Sequence, residues 1–329
     1  MRPVSRLAMG RSLDGARVSQ RLPAQAFKMG RRWRVLVLGC GDVGERAACR
    51  LGAWVRKAAM SGRGLKHDEW RARGWLPVAA SLDSPTSLRR WAGWADAVLH
   101  AAPPPSDGQV DPRTGAWLRA LARHRGLSQR RGAVQGWAPT RPRLCYISTT
   151  GVYGDAAGGW RSETDLPAPR NPRAWRRVDA EQRLRRAGQQ GWCRLSVLRA
   201  PGIWALDRPH GDPRDRIRQG LPVPLPHEDV HTHHIHADDL ARAVLRAWMR
   251  ARPLRVCNVV DETAMTMGAY YRALAQAWNL PLPPMLPKTD LAAALGPMRM
   301  SFLSESRRIR ADRMRHELGL VLLHPKALL

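Results

Sequence analysis

Residues Trp33 to Leu38 form a short apolar run that leads straight into Gly39-Cys40-Gly41-Asp42-Val43-Gly44, and Glu45 to Leu51 then reads as a helix. A strand, a G-x-G-x-x-G turn and a helix in that order leave the chain few ways to fold. Gly39 allows the tight turn, Gly41 lets a pyrophosphate approach the backbone, and Gly44 lets the helix pack close on the strand. The amides left unpaired at the helix start face the phosphates, and the helix dipole favours their charge. The expectation is a dinucleotide site built from Gly39, Gly41, Asp42, Val43 and Gly44.

The rest of the chain alternates in the same way. Strand-like runs lie at Val35–Leu38, Ala53–Met60, Leu76–Ala80, Ala97–Ala101, Leu144–Ser148 and Leu195–Leu198. Helical spacing appears at Val43–Leu51, Arg113–Arg125 and Ala174–Ala187, and again at 238–250 and 266–278. Alternating strands and helices imply right-handed crossovers and a parallel sheet. The expected fold is α/β, a Rossmann-like doubly wound parallel sheet with a smaller C-terminal substrate-covering portion. Its expected divisions are a basic N-terminal extension at 1–32, a dinucleotide-binding domain at 33–200 and a mixed substrate-binding portion at 201–329. The extension has Asp14 as its sole acid and lacks periodicity. It reads either as a transit-like segment or as an over-extended start upstream of Met29.

Composition narrows the function classes. At 329 residues the chain can bury a substantial core. No run approaches the ~20 apolar residues that cross a bilayer. Cys40, Cys49, Cys145, Cys193 and Cys257 are scattered without C-x-x-C spacing, which speaks against a zinc centre or a disulfide framework and fits a cytoplasmic protein. The net charge of +28 invites a nucleic-acid reading. Yet the charge is nearly all arginine, spread over every segment without interleaved aromatic platforms, so no specific nucleic-acid partner is expected.

The end of the second strand bears on the cofactor. An acid there would bind the ribose 2′-hydroxyl of NAD, whereas a basic residue accommodates the 2′-phosphate of NADP. Ser61 and Arg63 stand there, with no acid before Asp68, which favours NADP over NAD.

Tyr146-Ile147-Ser148-Thr149-Thr150-Gly151-Val152-Tyr153-Gly154-Asp155 follows the fourth strand and its helix. Further along stand Ser162-Glu163-Thr164, Ala180-Glu181, Leu198-Arg199-Ala200-Pro201-Gly202-Ile203-Trp204, His234-Ile235-His236-Ala237-Asp238-Asp239-Leu240-Ala241 and Cys257-Asn258-Val259-Val260-Asp261. With the glycine turn, these collinear segments resemble the extended short-chain dehydrogenase/reductase family, the NAD-dependent epimerase/dehydratases, over about residues 33–325. The resemblance implies a Ser/Thr hydroxyl acting with a Tyr-x-x-x-Lys pair. Counted back from Glu181, those two positions hold Arg173 and Arg177, and arginine stays protonated, so it cannot serve as a general base near neutral pH. The chain thus resembles atypical members that lack the standard pair.

The surviving hydroxyl is Thr149 or, less favoured, Ser148. Tyr153 is a candidate replacement acid, although the same position also suits a packing or pocket-lining tyrosine. Arg173 and Arg177 read either as a clamp for an anionic substrate or cofactor phosphate, or as a solvated helix face. Ala101 and Ala102 offer close cofactor approach at the fourth strand's exit, and Pro201 lies beside the expected nicotinamide. His234 and His236 with Asp238 and Asp239 suggest a metal at first sight, but they fall inside the family-like segment, which the resemblance implies begins a helix with an acidic cap, and they lack recurrent ligand spacing, so no metal is expected. The implied function is an NAD(P)-dependent oxidoreductase or epimerase/dehydratase-like protein acting on a small hydroxyl, carbonyl or nucleotide-sugar-like substrate, with a homodimer as the implied assembly. The alternative is a non-catalytic, dinucleotide-sensing regulatory or scaffold protein.

Overall fold

The computed structural model describes residues 32–62, 66–135 and 141–326. Residues 1–31 of the basic extension and Arg63 lie outside the described residues.

The apolar run becomes β1 (Arg34–Leu38), and α1 (Asp42–Cys49) follows it directly. Then come β2 (Arg56–Met60), α2 (His67–Ala72), β3 (Leu76–Pro77), β4 (Ala97–His100), α3 (Pro112–Gln135) and β5 (Arg143–Thr149). The chain continues through α4 (Pro172–Gln189), β6 (Arg194–Ala200), α5 (Pro213–Arg218), α6 (Ala237–Arg250) and β7 (Arg255–Asn258). It closes with α7 (Met267–Ala277), α8 (Lys288–Leu303) and α9 (Asp312–His316).

The seven strands form one parallel sheet in the order β7-β6-β5-β4-β1-β2-β3. Strand order reverses between β1 and β4, and ligands of open α/β sheets bind at such a switch point, beyond the strands' carboxyl ends. Both faces of the sheet are covered, as a parallel sheet requires. Along β1, Val35 and Val37 pack into the layer that holds Ala47 of α1 and Val244 and Trp248 of α6. Leu36 and Leu38 pack into the opposite layer, with Trp117 and Leu121 of α3 and Leu184 of α4. The side-chain period of two thus supplies both cores from one strand.

Three expected boundaries shift for local reasons. β2 starts at Arg56 and not at Ala53, because Val55 N bonds Gly52 O in a turn. β3 keeps only Leu76–Pro77 of the expected 76–80, since Pro77 has no N–H for the ladder and Ala80 N folds back to Val78 O. α3 runs on past Arg125 to Gln135.

Part of the chain beyond residue 200 also builds the sheet layer. α6 packs on α1 and β7 pairs with β6, so residues 237–258 return to the Rossmann layer. The covering portion is assembled from α5, α7, α8 and short strand pairs, such as Gly202–Trp204 with His234–His236. No described helix is long and apolar enough to cross a membrane.

Candidate active site

Each glycine of the turn meets a different constraint. Gly39 has φ +80°, and a Cβ there would lie 2.4 Å from the Ala102 backbone. The close fit arises because Ala101 N and Ala102 N both bond Leu38 O at 2.9 Å, drawing the exit of β4 against the turn. A Cβ on Gly44 would press on Val37 Cγ1 at 3.0 Å, so this glycine sets the distance of helix from strand. At Gly41 a Cβ would meet nothing within 4 Å, and its backbone borders open space. The amides of Asp42 and Val43 lie in the first turn of α1, where no in-helix acceptor exists for them. The Asp42 carboxylate is occupied by Arg46 at 2.7 Å and Arg208 at 3.3 Å, leaving its main chain as the part that faces a phosphate. This cradle fits a dinucleotide pyrophosphate.

Beyond β5 and β6 opens a cavity of about 640 Å³, walled by Ile147, Ser148, Thr149, Pro201 and Gly202 from the sheet and by α4, α5 and α8 from above. Thr149 caps the short turn of helix at Thr150–Tyr153, its Oγ1 accepting from Gly151 N at 3.1 Å. That bond uses an acceptor site only, and the hydroxyl keeps its proton for a ligand. Arg173, Arg177, Arg216, Arg299 and Arg307 also line the cavity. Arg177 Nη1 donates to Tyr146 Oη and to Ile147 O, each at 3.0 Å. Arg307 Nη1 bonds Gly154 O at 2.8 Å and Glu305 at 2.6 Å.

Tyr153 is not among the cavity-lining residues. It is fully buried, and its phenol donates to Asn258 Oδ1 at 2.8 Å. Burial raises its pKa, against the opposing pull of Arg199, whose guanidinium lies 4.7 Å from the ring centroid. Ser148 is engaged as well, donating to Glu181 Oε1 at 2.5 Å. Glu181 in turn holds Arg199, and Asn258 Nδ2 donates to Arg310 O. The separate segments at 148, 153, 181, 199 and 258 therefore converge in one buried polar network beside the cavity. Of the three hydroxyls of Ser148, Thr149 and Tyr153, Thr149 is the one that lines the cavity with its proton uncommitted.

The histidine-rich segment is structural in its bonding. The cap of α6 is the imidazole of His236, whose Nδ1 accepts from Asp238 N at 3.1 Å, and not an acidic side chain as expected. Asp239 is fully buried and accepts from the amides of Leu323 and His324. His236, Asp238 and His324 come within metal-ligand spacing of one another. Three observations oppose an ion there. Nδ1 of His236 is already an acceptor, which in the neutral ring puts the proton on Nε2. The two imidazoles stack face to face at 3.6 Å, so their lone pairs do not converge. Finally, Asp238 is held by Arg46 and Arg50.

Arg216, Arg299, Arg307 and Phe302 were not singled out in the sequence. In so arginine-rich a chain, no local pattern separates a cavity arginine from a solvated one.

No protein-family model and no curated protein matches the chain. Solved structures do. A functionally unknown conserved protein from Silicibacter pomeroyi is 27% identical with TM-score 0.69, over 90% of this chain and 95% of that one. RMD from Pseudomonas aeruginosa in complex with NADPH is 20% identical, TM-score 0.62, over 88% and 94%. UDP-glucuronic acid 4-epimerase from Bacillus cereus in complex with NAD is 14% identical, TM-score 0.65, over 88% and 93%. At these identities the likeness shows the fold.

Proposed function

We propose that this chain, built on the extended short-chain dehydrogenase/reductase fold, is an NAD(P)-dependent oxidoreductase or epimerase/dehydratase-like enzyme for a small hydroxyl, carbonyl or nucleotide-sugar-like substrate. One observation carries the reading. The open backbone at Gly41 and the uncommitted Thr149 hydroxyl lie beyond carboxyl ends of the same sheet, on either side of the switch point. A dinucleotide laid across the switch point would join them.

The cofactor's pyrophosphate would rest on Gly39, Gly41 and the amides of Asp42, Val43 and Gly44. Ala101 and Ala102 would flank its course, with Pro201 beside its nicotinamide end. When bound, the nicotinamide supplies or accepts a hydride. The remaining work falls to the chain's own groups. Thr149 hydrogen-bonds the substrate oxygen, and Arg177, fixed by Tyr146 and Ile147, holds positive charge at the floor of the cavity. With Tyr153 sealed against Asn258, water supplies or removes the substrate proton. Arg63 and Ser61 favour NADP. A cytoplasmic location and a homodimer belong to the same reading.

The test is a fluorescence titration of the full chain with NADPH and with NADH at physiological salt. Micromolar NADPH binding, with NADH weaker, supports the reading. Binding of neither overturns it in favour of a non-catalytic role.

A further inference from the structure

The cavity wall carries more positive charge than its carboxylates balance. Asp212 is taken by Arg214 at 2.6 Å and Asp215 by Arg218 at 2.9 Å, and Glu305 by Arg307 at 2.6 Å. Arg177 bonds only a phenol and a carbonyl, and Arg216 donates to Pro222 O. Arg173 has no hydrogen bond or ion pair among the described residues, and its guanidinium rests on the Phe302 ring at 4.4 Å.

The imbalance is sharpest around Thr149. A Cβ on Gly151 would lie 3.4 Å from Thr149 Oγ1 and 3.9 Å from Arg307 Nη2, which brings that guanidinium beside the threonine hydroxyl. Partial burial lowers the Arg173 pKa, and the charges of Arg177, Arg307 and Arg176 add to the effect while Glu305 opposes it. Like charges crowded at a cavity wall, with Glu305 as their partial counter-ion, form a receptor for an anion. The Arg173 guanidinium over the Phe302 ring keeps its N–H groups for bidentate contact with an oxyanion.

We infer that the substrate carries an acidic group, carboxylate or phosphate, and that Arg173 binds it. Thr149 and the arginines line one cavity of about 640 Å³, so the oxygen held by Thr149 and the anion belong to one small molecule, as in a 2-oxo or 2-hydroxy acid or its phosphonate counterpart. The reacting carbon is defined by the oxidoreductase reading above, whereas the anion site stands on the charge arrangement alone.

Calorimetric titration of the cofactor-free full chain with oxamate and, separately, with methylphosphonate tests it. At least one binds, and Arg173→Gln weakens that binding tenfold or more. Arg173→Lys retains part of it, and Arg185→Gln, exposed elsewhere on α4, leaves it unchanged within twofold. Preference for oxamate assigns a carboxylate and preference for methylphosphonate a phosphate, and either supports the site. No binding of either, or equal binding by Arg173→Gln, overturns it. Because Arg173 makes no polar bond among the described residues, its variants fold, which a thermal melt verifies. NADPH titrations on the same samples separate the two claims. Arg173-dependent anion binding without NADPH binding keeps the anion site and overturns the dinucleotide reading alone.

Discussion

Arg199 grips Glu181 with two hydrogen bonds, Nε to Oε1 at 3.1 Å and Nη2 to Oε2 at 2.6 Å, and both side chains are shut away from solvent. Burial opposes the arginine's charge, yet the pairing with Glu181 and the face of Tyr153 hold its pKa above the ordinary value. Removing one partner strands the other. Glu181→Gln is expected to cost about 3–5 kcal/mol of stability, and Glu181→Leu combined with Arg199→Met should recover most of it. Urea denaturation of the three proteins decides this, and an unaltered midpoint for Glu181→Gln would refute it.

Gly39 and Gly41 should fail in different ways when given a methyl group. Gly39→Ala forces φ +80° on an L-residue and drives its Cβ into Ala102, so the loss is one of stability, about 2 kcal/mol or more. Gly41→Ala meets no protein atom and should fold normally while weakening NADPH at least tenfold. Paired melting and titration measurements check both, and normal NADPH affinity in Gly41→Ala would displace the pyrophosphate from this turn.

Thr149→Val tests the hydroxyl. The swap preserves shape, and the fold should hold apart from the lost bond to Gly151 N. Turnover of an identified carbonyl substrate should drop about 10²-fold, in the range typical of losing one positioned hydrogen-bond donor to the reacting oxygen, with NADPH affinity unaltered. Loss of NADPH affinity together with turnover would assign Thr149 to the cofactor.

Stability should fall as pH drops below neutrality, with one buried carboxyl opposing the trend. Burial lowers the pKa of His233 and His236 from 6.5 to about 4 and that of His234 to about 3, with neighbouring charge assisting. The unfolded chain therefore binds these protons first. The stabilisation is complete above about pH 6.5 and is lost as pH falls toward 4, each histidine contributing up to about 1.4 kcal/mol per pH unit. Asp261 acts in the opposite sense. Burial raises it from 3.8 to about 7, so its share is complete below 3.8 and lost as pH rises through 7. Urea midpoints should rise with pH between about 4 and 6.5, where the histidines outweigh Asp261, and Asp261→Asn should make that rise steeper by removing the opposing group. A rise no steeper in Asp261→Asn would refute the shift assigned to Asp261.

The parts legible in the sequence were those whose cause is local. The β1–turn–α1 unit reads off Trp33 to Leu51 because three glycines and one apolar run decide it within one stretch of chain. The place of Thr149 at the end of a buried strand is legible for the same reason. The hydrogen bond that holds Tyr153 is not, because its partner Asn258 lies 105 positions away. The cap of α6 was misassigned to an acid because both His236 and Asp238 suit that place, and only the backbone path shows which side chain accepts the amide. The cavity arginines come from α4, α5, α8 and the segment after it, and their convergence is a property of the covering portion as a whole.

Asp239 illustrates how late such a structure can be completed. Its carboxylate has no access to water and takes the amides of Leu323 and His324, 84 and 85 positions downstream. On a ribosome, α6 emerges long before these amides exist outside the exit tunnel. Until then the carboxylate on the helix that backs α1 has Arg242, one turn along, and lacks the two amides that complete its shell. The sheet can pair in the order in which its strands appear, but the seal behind the nucleotide cradle closes only when residues past 320 arrive, so these residues act as the clasp of a fold whose other parts are already in place.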